Sequence, residues 1–203
     1  MDYRYIKRSI DIILSAVGLL LLLPFLLVIA ILIKTDSKGP VFFVQKRIGQ
    51  RRELFNIIKF RTMMPNVPKD VPTHLLDHPE HCVTRVGRIL RKTSMDELPQ
   101  LWNVLKGDMS IIGPRPALWN QHDLIELREK HDIHCLKPGV SGLAQINGRD
   151  ELPIQEKVQY DKEYLEGFGL SMDFKIFILT MVKIVKGEGI KEGKHENTHY
   201  RKK

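Results

Sequence analysis

Cysteine is scarce in this sequence. Cys82 and Cys135 are the only two among 203 residues, and they lie far apart without CxxC spacing. A disulfide framework is therefore excluded as an organising feature, and a reducing compartment is the default expectation. The chain also has no internal repeat and no low-complexity tract, and it contains no P-loop, GxGxxG, HExxH or GxSxG motif.

Negative charge is in deficit. Lys and Arg number 32 against 24 for Asp and Glu, which gives a formal net charge of +8. A surplus of this size favours an anionic partner: nucleic acid, an anionic lipid surface or a phosphorylated substrate. The length suits one compact domain with an appendage better than two full domains.

Charge is missing altogether from residues 12–33, "IILSAVGLLLLLPFLLVIAILI". As a helix this segment would extend about 33 Å, enough to cross a hydrocarbon core of about 30 Å. A secretory signal peptide fits poorly, because the apolar core is too long and no A-x-A-like cleavage site follows. The segment is therefore predicted to enter a membrane.

Pro24 lies near the middle of this segment, where it removes one backbone hydrogen bond and disfavours helix at Leu23. Positive charges flank the segment on both sides: Arg4, Lys7 and Arg8 before it, and Lys34, Lys38, Lys46 and Arg47 after it. This symmetry fits a bent, re-entrant helix with both ends on the cytoplasmic side, each arm about 15 Å long. An ordinary kinked transmembrane helix fits the residues equally well.

The rest of the chain predicts a mostly α fold with one small β-hairpin, an α+β class. Residues 41–45 and 54–60 read as the strands of the hairpin, around a turn that contains Gly49. Residues 64–82 read as a loop, and the glycine-rich stretch 137–149 as another. A helix is predicted from about Leu118 to His131. We expect a membrane segment at 1–36, a catalytic domain at 37–190 and a polar, flexible tail at 191–203.

Two further helices carry apolar stripes. Leu98, Leu101, Trp102 and Leu105 share one face of a helix that Gly107 should end. Residues 171–186 form the other helix, with Ser171 as N-cap candidate and a face made of Phe174, Phe177, Ile178, Met181 and Val185. With lysines at its margins, this helix suits a membrane interface, and closing the soluble core suits it as well.

The stretch "SMDELPQ" at 94–100 places two carboxylates side by side within a basic segment. Ser94 and Glu97 have capping-box spacing, so a helix start is the simple interpretation. Arginines and a lysine surround the pair in sequence: Arg85, Arg88, Arg91, Lys92 and Arg115. A salt-bridge network is one use of such a cluster. A catalytic pair is the other, with Asp96 kept ionised as nucleophile and Glu97 holding Mg²⁺ beside a diphosphate.

Metal ligands of another kind occur in "HLLDHPEHC", which contains His74, His78, His81 and Cys82. Zinc is conceivable there on residue type alone. Pro79 interrupts any regular helix, and such clusters in polar loops are usually solvated, so the sequence does not favour a metal site at this place.

Several long motifs occur together and in order: "KRSIDIILSAVGLLLLLPFLL", "GPVFFVQKRIG", "FNIIKFRTM", "MDELPQLWNVLKGDMSIIGPRP" and "KPGVSGLAQINGR". They resemble the bacterial sugar transferase family, the monotopic polyprenyl-phosphate phosphoglycosyl transferases, in its minimal catalytic form. The resemblance covers residues 5–192. It implies transfer of a sugar-1-phosphate from a UDP-sugar to polyprenyl (undecaprenyl) phosphate with release of UMP, at the cytoplasmic face of the bacterial inner membrane.

The resemblance also implies roles for particular residues. Asp96 matches the nucleophile that forms a phosphosugar-enzyme intermediate, and Glu97 matches the Mg²⁺ ligand. Lys59, Arg61, Arg91, Arg115 and Arg149 match basic positions expected to contact phosphate or nucleotide. Residues 12–33 match a re-entrant helix that breaks at Pro24. Members commonly have Ser-Pro at this break, whereas this chain has Leu23-Pro24, which lacks the hydroxyl that could satisfy a freed carbonyl.

Other interpretations remain open from the sequence. A membrane-anchored basic protein without catalysis would explain the charge and the apolar segment, but not the carboxylates within the basic cluster. A different membrane phosphotransferase is disfavoured, because the multi-aspartate signature of that chemistry is absent. We expect inner-membrane lipids as partners and no nucleic acid, and amphipathic surfaces leave a homodimer open. The sugar is not specified by any motif.

Overall fold

The computed structural model describes residues 2–68, 82–148 and 152–186. Its first element is helix α1, Tyr3–Asp36, which starts with the Asp2 side chain accepting a hydrogen bond from the Arg4 amide. This is the one helix, within the described residues, that is long and apolar enough to cross a membrane. The helix continues through Pro24 without interruption. At 34 residues it is about 51 Å long if straight.

Both halves of α1 contact the same globular body. In the N-terminal half, the buried Asp11 carboxylate accepts a hydrogen bond from the Ile111 amide at 3.0 Å. In the C-terminal half, Ile29 and Ile33 are buried in a cluster with Phe60 and Leu90. Between these contacts one face of the helix packs against α3, with Gly18 beside Leu101, while the opposite face is exposed, and Leu20 and Leu21 are 73% and 71% exposed.

The predicted hairpin is confirmed. Strand β1, Phe42–Ile48, pairs antiparallel with β2, Leu54–Phe60, in a register that sets Phe42 opposite Phe60 and Ile48 opposite Leu54. A short 3₁₀ turn at Gln50–Arg52 connects the strands after Gly49. Ile57 and Phe60 of β2 are buried on opposite faces of the strand, Ile57 against Val104 and Met109 and Phe60 against α1 and α2, at a gain of about 1.5–3 kcal/mol per side chain.

Helix α2, Arg85–Lys92, begins at Thr84, whose side chain accepts a hydrogen bond from the Gly87 amide. Helix α3, Gln100–Lys106, ends at Gly107, which has a φ of 99° and caps the carbonyls of Asn103 and Val104. The predicted stop at Gly107 is therefore confirmed. The apolar stripe on α3 does not form the core: α3 buries Gln100, Asn103 and Val104, while Trp102 is half exposed.

A second sheet was not predicted from the sequence. Strand β3, Ser110–Ile112, pairs in parallel with β4, Gly139–Ser141. The two strands lie almost thirty positions apart in the chain, and β4 lies within the stretch 137–149 that was predicted to be a loop. Helices α5, Leu143–Asn147, and α6, Ile154–Glu166, pack in a core around Ile112, Leu143 and Tyr164. Helix α4, His122–Glu129, packs against the other side of α6 in a second cluster that contains Leu124, Ile125 and Val158. Helix α4 is shorter at both ends than the predicted 118–131.

Helix α7, Leu170–Lys186, starts one residue before the predicted N-cap, so Ser171 lies inside the helix and caps nothing. Asp173 and Ile176 are its buried residues. The apolar face predicted to share one side is exposed instead: Phe174, Phe177, Ile178, Met181 and Val185. This face therefore does not close the soluble core.

Candidate active site

Asp96 and Glu97 occupy a single 3₁₀ turn, Met95–Glu97, between α2 and α3. The capping-box prediction is wrong here. Ser94 adopts a left-handed conformation with a φ of 57° and its side chain makes no cap hydrogen bond, because α2 ends just before it and the chain must turn sharply. Pro99 then precedes α3, so the two carboxylates stand one turn ahead of that helix, close to where the sequence placed them.

Glu97 is held by two cations. Its Oε1 accepts a hydrogen bond from Lys59 Nζ at 2.7 Å and another from Arg115 Nη1 at 3.2 Å. The side chains of Lys59 and Glu97 are only 14% and 19% exposed, so solvent weakens this ion pair much less than a surface pair. Lys59 comes from β2 and Arg115 from the loop after β3, so Glu97 joins three separate segments.

Arg91 reaches the same place from the end of α2. Its Nε donates to Thr62 Oγ1 at 2.9 Å, and α2 lies so close to residue 62 that a Cβ on Gly87 would meet the Thr62 carbonyl oxygen at 2.1 Å. Glycine at position 87 is therefore required for this close approach. It brings the Arg91 guanidinium near enough to act electrostatically on Asp96.

The electrostatics of Asp96 differ from the sequence expectation. Burial raises the pKa of the Asp96 carboxyl above its ordinary value, and the adjacent Glu97 carboxylate adds to the rise. Lys59, Arg91 and Arg115 lower this pKa, as expected from the sequence, but they do not outweigh burial. Burial in turn lowers the pKa of the Lys59 ammonium, and Glu97 acts against that change.

The phosphate-contact candidates divide into three groups. Lys59, Arg91 and Arg115 converge around the carboxylates. Arg61 is directed elsewhere: its guanidinium donates to the Ser37 and Lys38 carbonyl oxygens at 2.8 and 2.9 Å, where it fixes the chain leaving α1. Arg149 lies outside the described residues, as do His74, His78 and His81.

Sequence reasoning missed the residues that fix the site in place. Asn103, 1% exposed, accepts from the Ile58 amide at 3.0 Å and donates to the Asn56 carbonyl at 2.8 Å, which ties α3 to the free edge of β2. An asparagine on the buried side of a short helix was the available signal for this role.

Buried charge supports the loop of Arg115. Arg128 Nη1 donates to the Arg115 carbonyl at 2.8 Å, while its Nε and Nη2 donate to Asp161 Oδ2 at 2.9 and 2.6 Å. Arg47 Nη1 donates to the Pro116 carbonyl at 3.0 Å. Pro114 and Pro116 restrict the backbone between these contacts. No sequence signal pairs Arg128 with Asp161, which is 33 positions away.

The donor chemistry at the carboxylate pair fits Mg²⁺. Two adjacent carboxylates supply hard oxygen ligands, and Mg²⁺ characteristically uses one or two carboxylates with substrate phosphates and water. Among the described residues, no group of three or more His, Cys, Asp or Glu side chains is arranged to hold a metal. A closed, all-protein site is thus lacking in that part of the chain, whereas an open site completed by a diphosphate is compatible with it.

Comparison with known proteins identifies the family of this chain. A family model described as bacterial sugar transferase matches residues 2–187, and the chain belongs to this family. It is 45% identical over 186 residues to a UDP-glucose:undecaprenyl-phosphate glucose-1-phosphate transferase of Klebsiella pneumoniae, covering 87% of this chain and 39% of the relative.

Two other relatives differ in length. The chain is 38% identical to a UDP-N-acetylgalactosamine-undecaprenyl-phosphate N-acetylgalactosaminephosphotransferase of Aeromonas hydrophila, covering 92% of this chain and 45% of the relative. It is 35% identical to the exopolysaccharide production protein ExoY of Rhizobium meliloti, covering 90% and 87%. The chain therefore spans less than half of the two named transferases but most of ExoY.

Proposed function

We propose that this chain transfers a sugar-1-phosphate from a UDP-sugar to undecaprenyl phosphate and releases UMP, a phosphoglycosyl transfer that begins the assembly of a lipid-linked glycan such as an exopolysaccharide. The observation that carries the proposal is the Asp96–Glu97 pair surrounded by Lys59, Arg91 and Arg115. The names of the relatives support the two substrates.

In the first step an Asp96 carboxylate oxygen attacks the phosphorus that carries the sugar. A bond forms between that oxygen and phosphorus, and the bond from phosphorus to the bridging oxygen breaks. The bridging oxygen leaves with UMP. Arg91, Arg115 and Lys59 supply positive charge to the diphosphate, which an anionic nucleophile could otherwise approach only against strong repulsion.

In the second step an oxygen of undecaprenyl phosphate attacks the same phosphorus. The bond to Asp96 breaks, the carboxylate is regenerated, and the product is a lipid diphosphate sugar. Each step uses one nucleophilic oxygen and one leaving oxygen, so no outside oxidant or reductant is needed. The attached lipid explains why the site would operate next to a membrane.

Mg²⁺ bound by Glu97, together with the phosphates of the substrate, would neutralise charge on the diphosphate and on the departing UMP. Glu97 is in turn kept in position by Lys59 and Arg115. Asp96, next to it along the chain, is left to face the substrate as nucleophile.

We also propose that α1 enters and leaves the inner membrane on its cytoplasmic side. Two facts support this topology: residues near both ends of α1 contact the same globular body, and the exposed apolar residues lie between these contacts. The exposed apolar face of α7 supports placing the catalytic body against the same membrane surface.

The experiment is a UMP-release assay with purified protein, undecaprenyl phosphate and a panel of UDP-sugars that includes UDP-glucose and UDP-N-acetylgalactosamine. Asp96→Asn should abolish UMP release. When the parent protein is incubated with donor but without lipid acceptor and then quenched, the peptide that contains Asp96 should carry the added mass of a phosphosugar, and the Asp96→Asn variant should lack this added mass. Near-normal turnover of Asp96→Asn would overturn the nucleophile assignment. Salt-sensitive binding to nucleic acid or anionic vesicles, with no UMP produced from any donor, would favour a non-catalytic basic protein instead.

A further inference from the structure

A second cleft lies at the N-terminal end of α1 and shares no residue with the carboxylate site. We call it the basal cleft and define it by Arg4, Lys7, Arg8, Asp11, Ser110 and Lys137. Its space of about 90 Å³ is more than one water requires, since about 10–15 Å³ accommodates a water molecule. The cleft is therefore large enough to hold a small polar group.

Positive charge exceeds negative charge around this cleft. Lys7 is paired with Asp173, and Arg8 donates both Nη atoms to the Val104 and Leu105 carbonyls at the end of α3. Asp11 uses Oδ1 to accept from the Ile111 amide. Within the described residues Arg4 and Lys137, which both line the cleft, have no ion-pair partner within 4.0 Å.

Lys137 is a partly buried cation. Burial lowers the pKa of its ammonium, and the nearby Arg8 guanidinium lowers it further, while Asp11 and Asp108 act in the opposite direction. An anion placed in the cleft would relieve this unfavourable arrangement. The neighbouring carboxylates do so only in part.

Ser110 adds an independent observation. Its side chain is 1% exposed and lines the cleft, and within the described part of the chain its Oγ has no hydrogen-bond partner. A buried hydroxyl without a partner is unfavourable, because it has lost its hydrogen bonds to water and gained none in the protein. A hydroxyl that lines a cationic cleft can donate to an anionic oxygen, which removes that cost and adds a charge-assisted hydrogen bond.

Exposed apolar side chains lie near the cleft on both α1 and α7. Tyr5 and Ile6 on the first turns of α1 are exposed, as are Leu170 and Phe174 at the start of α7. Apolar residues that enter a membrane beside a cationic recess place the recess at headgroup depth, where lipid phosphates are concentrated.

We propose that the basal cleft binds one phosphate group, that of an anionic phospholipid, through Lys137, Arg4 and the Ser110 hydroxyl. The site is separate from the one that handles substrate phosphates. The proposal requires membrane attachment of α1 but does not depend on the transfer chemistry.

Native mass spectrometry of the full chain in a neutral detergent tests this, with short-chain phosphatidylglycerol as the probe. The parent should retain one lipid. Lys137→Gln should weaken its binding about 10- to 100-fold, the effect of one charge-assisted hydrogen bond. Lys137→Arg should restore most of it. Lys130→Gln, at the exposed end of α4, is the matched control and should bind like the parent.

Ser110→Ala separates a binding role from a purely structural one. Without lipid, the melting temperature of the Ser110→Ala variant should be unchanged or higher than that of the parent, because the substitution removes a buried donor that has no partner. The variant should nevertheless bind less lipid than the parent. Inorganic phosphate is the second arm: competition with phosphatidylglycerol at similar concentration would assign the site to free phosphate instead of lipid. Equal lipid binding by Lys137→Gln and Lys130→Gln, or by Ser110→Ala and the parent, would overturn the proposal.

Discussion

The pairing of Glu97 with Lys59 explains why one carboxylate of the pair is held in place while the other is available for reaction. Lys59 lies on a strand, so its Cα is fixed by the hairpin, and its ammonium reaches Glu97 Oε1 at 2.7 Å. Asp96, by contrast, is acted on by three cations without being locked to any one of them by a hydrogen bond in the described structure. The two adjacent acids are thus chemically different because of their surroundings.

Replacing Lys59 with Met tests this division of roles. Removing the ammonium leaves a largely buried Glu97 with one partner fewer, so we expect kcat for UMP release to fall about 10- to 100-fold, which corresponds to about 1.5–3 kcal/mol. Lys46→Met is the matched control, because Lys46 lies on the neighbouring strand with an exposed side chain. Equal activity of the two variants would contradict the assigned role of Lys59.

Among the elements, α3 and β2 form the joint on which the site depends. Asn103 joins them through two hydrogen bonds to β2 main-chain groups, so the turn carrying Asp96 and the strand carrying Lys59 move as one piece. Asn103→Leu keeps the volume and removes both bonds, together with the hydrogen bond that Asn103 donates to Asp108 Oδ2. We expect it to lower the free energy of unfolding by about 2–4 kcal/mol.

The measurement is a denaturant titration beside the UMP-release assay. Asn56→Ala is the control, because the exposed Asn56 contributes its main-chain carbonyl rather than its side chain to this joint. A normal unfolding midpoint for Asn103→Leu would show that the two elements are held together by other contacts.

The elements that the sequence predicts well are those with local causes. Gly107 ends α3 because a left-handed residue without Cβ is needed there, and the hairpin follows from two β-rich runs on either side of a turn that contains Gly49. The β3–β4 pair and the contacts of Asn103 join segments far apart in the chain. The periodicity of apolar residues indicates local helices and strands, but it does not indicate which distant segments pair. Ser94 failed as a cap because the sharp turn after α2 overrode its side-chain preference.

The Arg128–Asp161 pair connects α4, α6 and the loop of Arg115. Arg128→Met should destabilise the protein by about 3–5 kcal/mol, since it leaves the buried Asp161 without its partner. The double variant Arg128→Met with Asp161→Leu should recover most of that stability, because an apolar pair of similar volume is often tolerated.

Activity distinguishes a positioning role for Arg128 from a structural one. The double variant still lacks the hydrogen bond to the Arg115 carbonyl, so we expect KM for the UDP-sugar to stay raised although the melting temperature recovers. Recovery of both quantities together would show that Arg128 contributes stability only.

At the scale of the whole molecule, the path of α1 decides how the site meets its lipid substrate. The apolar middle of the helix contains Pro24, whose missing amide leaves the Leu20 carbonyl without its usual helical donor. Near the ends, Asp11 contacts β3 and Asp36 accepts from the Val86 amide of α2 at 3.0 Å, so both termini are fixed to one body. A single span across the bilayer would have to give up one of these sets of contacts.

Labelling from one side of the membrane tests this path. In a background with Cys82 and Cys135 replaced by serine, we would place single cysteines at the exposed polar positions Asp2 and Thr35 and treat sealed inside-out and right-side-out vesicles with a membrane-impermeant maleimide. A re-entrant helix predicts that both positions react in inside-out vesicles and that neither reacts in right-side-out vesicles. Reaction of the two positions from opposite sides would establish a single span, and the globular body could then contact only one end of α1.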